Sequence, residues 1–377
     1  MRRGEAKEKI ISAAERLFAE RWYSTVSVAD ICRTAGVSNG IAYHYFDNKE
    51  ELLEDLMERT IRAVDAAPSL NGSEDPDARL MNYIGDLLDL TENRKHLIRA
   101  FRQGQYRMIE YESKLHEVYS RHLEKVLGRQ ASRMEYIFAM SGLRFVNIRH
   151  AFDSVPADKA TMFGILKRGA FPGDPARPLD DFLPKRILPP AVDVFQDSRA
   201  RLIAAGKELI GARDFASVSI SDITGRAGIS VGSFYRHFES KDKFLAEIVR
   251  GISRDLRRFI NLNMPACRSS LEEELAGLYL FCLYLTFDPA CYPVVRQAEY
   301  VVPDVTREYY DSFMRGYLKR RAWPPGGYDP VTAANFCIGI AHYVGMEFSY
   351  SASKQDIKPL MEGLIQCYRD GLSRREV

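Results

Sequence analysis

The chain has 377 residues, of which 46% are hydrophobic, 28% charged and 11% aromatic, the composition of a folded globular protein and not of a disordered or fibrous one. Lys and Arg number 53 against 51 Asp and Glu, so no overall excess of positive charge draws the chain to nucleic acid or anionic lipid, and any such binding falls to local patches. A length of this kind predicts two or more domains.

The first twenty residues alternate charged and apolar groups at helical spacing and hold no apolar core of signal-peptide type. The longest apolar run, residues 275–287, has 13 residues. A membrane span needs about 20, so this run reads as a buried helix and no membrane partner is expected. Cys32, Cys267, Cys282, Cys291, Cys337 and Cys367 are scattered without a CxxC pair or neighbouring His. That pattern fits reduced thiols in a cytoplasmic protein better than a disulfide frame or a metal site. Phosphate-binding glycine loops and HExxH are missing from the sequence, so neither an enzyme nor a cofactor is expected.

Residues 9–53 align without a gap on residues 201–245, with about a third of the positions identical, which marks a duplicated module. In each copy an apolar stripe predicts a first helix: Ile10, Ala14, Leu17 and Phe18, then Leu202, Gly206, Leu209 and Ile210. Ser27 with Asp30, and Ser219 with Asp222, have the Ser-x-x-acid spacing of a helix start. That second helix ends at Gly36 or Gly228, and Ser38 or Ser230 caps a third after a turn of about three residues. Two short helices joined in this way are the helix-turn-helix pattern.

The third helices read SNGIAYHYF and SVGSFYRHF. At 100° per residue, Asn39, Gly40, Tyr43 and His44 share one arc, as do Val231, Gly232, Tyr235 and Arg236. Glycine permits close backbone approach, Tyr offers a hydroxyl to phosphate, and Asn or Arg reads base edges. Lys49 and Lys241 open a fourth helix, where a cation and backbone donors together suit a DNA phosphate.

Both copies resemble the DNA-binding domain of the TetR family of bacterial transcriptional regulators. The signature is Ala-Gly-Val/Ile-Ser-x-Gly-x-x-Tyr-x-x-Phe-x-x-Lys, met at residues 35–49 and again at 227–241. The resemblance implies an all-α fold in which each DNA-binding domain precedes a helical effector and dimerisation domain, the whole chain being a fused tandem. Ala29 and Ser221 stand where some family members carry a long base-reading side chain, which leaves recognition to the third helices. The expected DNA-contacting set is Ser27, Ser38, Asn39, Gly40, Ile41, Tyr43, His44 and Lys49 in one copy, and Ser219, Ser230, Val231, Gly232, Ser233, Tyr235, Arg236 and Lys241 in the other.

Residues 77–170 read as helices throughout. Six prolines between 172 and 190 then predict a non-helical, semi-rigid linker. The repeat continues beyond the helix-turn-helix units, since residues 102–106, ending at Tyr106, correspond to residues 296–300. The second tail is rich in aromatics and could enclose a mostly apolar cavity. Candidate effector contacts are Tyr284, Phe287, Arg296, Glu299, Tyr300, Phe313, Tyr317, His342 and Met346. Arg296 and Glu299 read equally as an ion pair, and His342, like His150, as a satisfied core histidine.

The expected domains are therefore 1–66 and 197–260 for DNA binding, 67–171 and 261–377 for regulation, and 172–196 as linker. By resemblance, segments 134–170 and 331–373 pair into a four-helix interface, giving an intrachain pseudo-dimer. The expected partners are operator DNA and a small, largely apolar effector. Because Asn39/Val231, Ile41/Ser233 and His44/Arg236 differ, an asymmetric operator is expected. The alternative is a homodimer that uses one helix-turn-helix per chain on a symmetric site, without an effector.

Overall fold

The computed structural model describes residues 3–69, 73–105, 108–190, 197–320, 327–350 and 357–373. Tyr106, the end of the linker at 191–196 and residues 351–356 of the last paired segment lie outside them. Every regular element among the described residues is a helix, and no single one is long and apolar enough to cross a membrane. The chain divides into two compact units, one of Met1–Ala131 with Asn147–Ser154 and one of Ser132–Val146 with Val155–Val377.

The first unit contains α1 (Arg3–Glu20), α2 (Val28–Ala35), α3 (Asn39–Tyr45), α4 (Lys49–Ala66), α5 (Pro76–Asn93), α6 (Lys95–Gly104), α7 (Ile109–Leu127) and the end of α8 (Arg133–Asp153). Ile10, Ala14, Leu17 and Phe18 are all buried, so the predicted stripe of α1 is its core face. Asn48 caps α4 by accepting from the Glu50 and Glu51 amides, and Asp75 caps α5 just ahead of Pro76. His150 is not a core residue as the sequence suggests: it is part-exposed, 3.2 Å from Glu92.

The second unit contains the start of α8, then α9 (Lys159–Arg168), α10 (Leu179–Phe182), α11 (Ser198–Ala212), α12 (Ile220–Ala227), α13 (Val231–His237), α14 (Lys241–Asn263), α15 (Ser270–Phe287), α16 (Cys291–Val301), α17 (Pro303–Arg320), α18 (Pro330–Tyr350) and α19 (Lys358–Asp370). On α11, Leu202, Gly206 and Ile210 are buried and Leu209 is half-buried.

Two corrections concern the proline-rich segment. It contains one turn of helix, α10, started immediately after Pro178. Its described part, up to residue 190, is also strapped down within the second unit. Leu179, Phe182 and Leu183 are buried. Arg177 Nε and Nη2 donate to the Glu272 carboxylate at 2.8 and 2.7 Å, and Asn263 exchanges two hydrogen bonds with the Leu188 backbone.

The same unit brings together the closing helices of both repeats. Phe138 of α8 packs edge-on against Phe336 of α18 and Tyr368 of α19, at 5.4 and 5.5 Å. The tenth residue of each long helix is a glycine, Gly142 and Gly339. A Cβ on Gly142 would strike the Phe336 ring, and one on Gly339 would strike Phe145 and the Ser141 carbonyl. The C-caps of α9 and α19 are reciprocal too. Gly169 lies against the Tyr368 carbonyl and Gly371 against the Leu166 carbonyl, while Phe171 N–H donates to Tyr368 O at 2.9 Å and Leu372 N–H to Leu166 O at 2.7 Å. Small residues at matched positions allow backbones this close, and the reciprocity is that of a two-fold interface.

Candidate functional site

Each repeat builds its helix-turn-helix with the same local chemistry. Ser27 and Asp30 form a complete capping box at α2, and Ser219 and Asp222 form its copy at α12. The Ser27 hydroxyl and backbone N–H hold the Asp30 carboxyl down to about 2, and the Ser219 N–H and hydroxyl lower Asp222 in the same sense. Gly36 and Gly228 end these helices at φ 67° and 65°, the left-handed conformation that opens the tight turn. Ser38 and Ser230 occupy the next N-cap positions, but neither side chain makes the capping bond expected of it. The Ser230 hydroxyl instead lies 3.1 Å from that of Ser233.

The recognition helices, α3 and α13, turn the predicted arc outward. Asn39, Gly40, Tyr43 and His44 are exposed, as are Val231, Gly232, Tyr235 and Arg236, with Tyr43 and Tyr235 56% and 58% exposed. Ala42 and Phe234 anchor the opposite faces in the core. A Cβ added at Gly40 or Gly232 would meet nothing within 4 Å, and neither has a positive φ. The fold itself therefore does not require glycine at either position. Ile41 is half-buried, and Ser233, expected as a contact, is buried, its hydroxyl accepting from Arg236 at 2.7 Å. Position i+2 from the helix start faces inward, which is why these two fall off the exposed arc.

Lys49 and Lys241 also depart from expectation. Lys49 Nζ donates to the Tyr23 and Val26 carbonyls, both at 2.9 Å, and sits 4.0 Å from the Tyr23 ring centre. Lys241 Nζ donates to the Phe215 carbonyl and sits 4.0 Å from that ring. Burial lowers the Lys241 pKa. Both ammonium groups are thus turned in upon the 3-10 turn between the first two helices and away from the outward arc.

A second repeated contact holds that turn from the other side. Gln103 of α6 accepts from the Tyr23 amide at 2.6 Å and donates to the Arg21 carbonyl at 2.8 Å. Gln297 of α16 accepts from the Phe215 amide at 2.6 Å and donates to the Ile210 carbonyl at 3.0 Å. Both glutamines are buried. Sequence reasoning overlooked them, although the 102–106 and 296–300 match contains both.

In the second unit α14, α15, α16, α17 and α18 surround a cavity of about 560 Å³, within the range of small-molecule sites. Four expected contacts line it: Arg296, Phe313, Tyr317 and His342. Arg296 is both things the sequence allowed, a wall residue and an ion pair with Glu299 at 2.6 Å. Glu299 lies behind the wall, accepting also from the Tyr310 hydroxyl at 3.1 Å. The Tyr317 hydroxyl donates to buried Glu274 at 3.0 Å, and Tyr368 of α19 donates to the same carboxylate at 3.2 Å.

Tyr284, Phe287, Tyr300 and Met346 do not line the cavity. It sits at the level of Phe281, Arg296 and His342, and these four residues lie about a turn or more further along their helices. Tyr284 packs on Phe259 with its hydroxyl 3.3 Å from Asp288, Phe287 is 47% exposed, and Tyr300 is buried elsewhere. Wall residues that the sequence did not single out include Arg257, Tyr292 and Arg315.

A family model described as bacterial regulatory proteins, tetR family, matches residues 10–56 and 202–248. The probable HTH-type transcriptional regulator ArpR of Pseudomonas putida is 34% identical over 99 residues, 26% of this chain and 42% of that protein. The HTH-type transcriptional regulator TtgR, also of Pseudomonas putida, is 38% identical over 71 residues, 19% of this chain and 34% of that protein. The HTH-type transcriptional repressor DhaR of a Mycobacterium species is 35% identical over 63 residues, 17% of this chain and 32% of that protein. The chain thus matches less than half the length of these relatives. Among solved structures, the fatty acid degradation regulator FadR from Bacillus halodurans aligns with a TM-score of 0.40 at 18% identity, over 47% of this chain and 97% of that one.

Proposed function

Because the chain carries two TetR-family N-terminal domains in tandem, we propose that it is a DNA-binding transcriptional regulator, a repressor relieved by a small-molecule effector, whose two recognition helices read unlike half-sites of one operator. The observation that carries this reading is the outward pair Gly40/Tyr43, repeated as Gly232/Tyr235. Glycine inside a helix costs about 0.5–1 kcal/mol relative to Ala, and nothing within the fold requires it at either place. A groove surface approached closely by the helix backbone accounts for both glycines.

The reciprocal packing of α8 and α9 with α18 and α19 supports a pseudo-dimer within one chain, since it supplies internally the interface that a second chain would otherwise provide. Half-sites about 34–36 Å apart suit such an arrangement. The differences Asn39/Val231 and His44/Arg236 support an asymmetric site. The cavity supports effector control. α16 places Arg296 on its wall and the adjacent Gln297 on the turn of the second helix-turn-helix, so a ligand that shifts α16 shifts both. Such control works only where effector and DNA prefer different positions of that helix.

Charge favours one second reading. Residues 1–65 hold ten Lys or Arg against twelve Asp or Glu, whereas residues 197–260 hold twelve against eight. As phosphate neutralisation supplies much of the affinity, the second copy is the stronger binder, and in the extreme the only one. Selection of bound duplexes from a random pool by the full chain, with the mass of the complex measured on the selected site, separates the two. Unlike half-sites held by a single chain are expected, and a symmetric site holding two chains would replace the one-chain reading with a homodimer.

A further inference from the structure

The chemical class of the effector follows from the charges on the cavity wall, an inference that rests on reading this cavity as the effector site. Besides the paired Arg296, the wall carries Arg257, Arg315, Lys319 and Arg320 against a single acid, Glu273. The three arginines bond to neutral partners. Arg257 Nε donates to the Ser253 carbonyl at 2.9 Å, Arg315 to the Ser312 hydroxyl at 2.9 Å, and Arg320 to the Asn261 amide oxygen at 2.6 Å. No carboxylate among the described residues lies within ion-pair distance of the four. Lys319 and Arg320 suit the negative end of α17, but Arg257 is half-buried more than a turn before the end of α14 and has no such role.

An uncompensated group of cations around a partly open pocket attracts an anion, and the more strongly as the ligand displaces water. The interior at Phe281, Tyr309 and Phe313 is aromatic and suits an apolar body. We infer that the effector is an organic anion, with its hydrocarbon or aromatic body among these rings and its carboxylate or phosphate group held by Arg257 and the cations of α17. The largely apolar molecule expected from the sequence thus keeps its body and gains an acidic head group.

Calorimetric titration of the full chain with decanoate, decanol and decyltrimethylammonium, all below their aggregation concentrations, holds the body constant and varies only the charge. Decanoate is expected to bind tighter than decanol by about tenfold or more, the yield of one charge-assisted contact, and the ammonium compound weakest. The double variant Arg257→Gln/Arg315→Gln should bring the decanoate-to-decanol ratio towards one. Lys319→Gln/Arg320→Gln, at exposed positions, provides a second variant that leaves the packing intact. Equal binding of the three, or tightest binding of the ammonium compound, overturns the anion inference while the cavity stands as a ligand site. Failure of all three to bind overturns the effector reading together with it.

Discussion

Lys241 is clamped to Phe215 twice, through the face of its ring at 4.0 Å and through its backbone carbonyl, and Lys49 holds Tyr23 in the same two ways. A lysine immediately after a helix N-cap would ordinarily be read as a phosphate ligand. Here its charge is spent on the turn that sets the entry to α12. Lys241→Met should therefore lower the stability of the second unit by about 1–2 kcal/mol and leave the salt dependence of DNA binding nearly unchanged. Thermal melts and a salt titration of affinity read the two separately. A salt slope reduced by about one unit, with unchanged melting, would return the lysine to the phosphate.

Gly232 makes the opposite kind of prediction, because its loss should improve the fold and harm function. The open space around it and its ordinary backbone angle mean that Gly232→Ala should leave stability unchanged or raise it by about 0.5 kcal/mol. The added methyl group stands where the helix would meet the DNA, so affinity for the half-site read by α13 should fall about tenfold. Competition binding on duplexes carrying each half-site checks this, and equal affinity of variant and parent would place the groove contact elsewhere on the helix.

These two residues show what the sequence made legible and what it did not. Spacing alone located the capping boxes, the left-handed glycines and the outward arc, because each depends on neighbours within one or two turns. The inward Lys241 was not legible, since its partner lies 26 residues away and a lysine after an N-cap looks the same pointing either way. The cavity wall was half legible: aromatic content marked the helices, but α15 is apolar nearly all round, so nothing in it distinguished Phe281 from Tyr284. The proline run indicated only that a long helix was excluded, and gave no sign that Arg177 would fasten it to α15.

That fastening carries a pH dependence. The Arg177 guanidinium, together with the Arg268 backbone N–H, holds the buried Glu272 carboxyl down from 4.5 to about 2. A carboxyl depressed in the folded state contributes stability that is complete above its unfolded value and is lost as pH falls through the folded one. Between about pH 4.5 and 2 the second unit should lose on the order of 2 kcal/mol from this group. Glu272→Gln should be less stable at pH 7 and flatter across that window. Urea unfolding at pH 7, 4 and 3 measures both, and parallel acid slopes for parent and variant would mean the strap does not depend on the charge.

Gln297 supplies the last prediction, because it satisfies polar backbone groups of the turn from the far side of α16. Its amide oxygen takes the Phe215 N–H and its nitrogen gives to the Ile210 and Arg213 carbonyls. Gln297→Met keeps the volume and takes this partner from each of them, at about 1–3 kcal/mol for each one left unpaired. Hydrogen exchange at the Phe215 amide should accelerate by at least about tenfold, and Gln103→Met should do the same at Tyr23. If α16 transmits the state of the cavity, the Gln297 variant should still bind decanoate while decanoate no longer alters its DNA affinity. Retained coupling would show that the signal travels through the packing of α14 and α16 and not through this side chain.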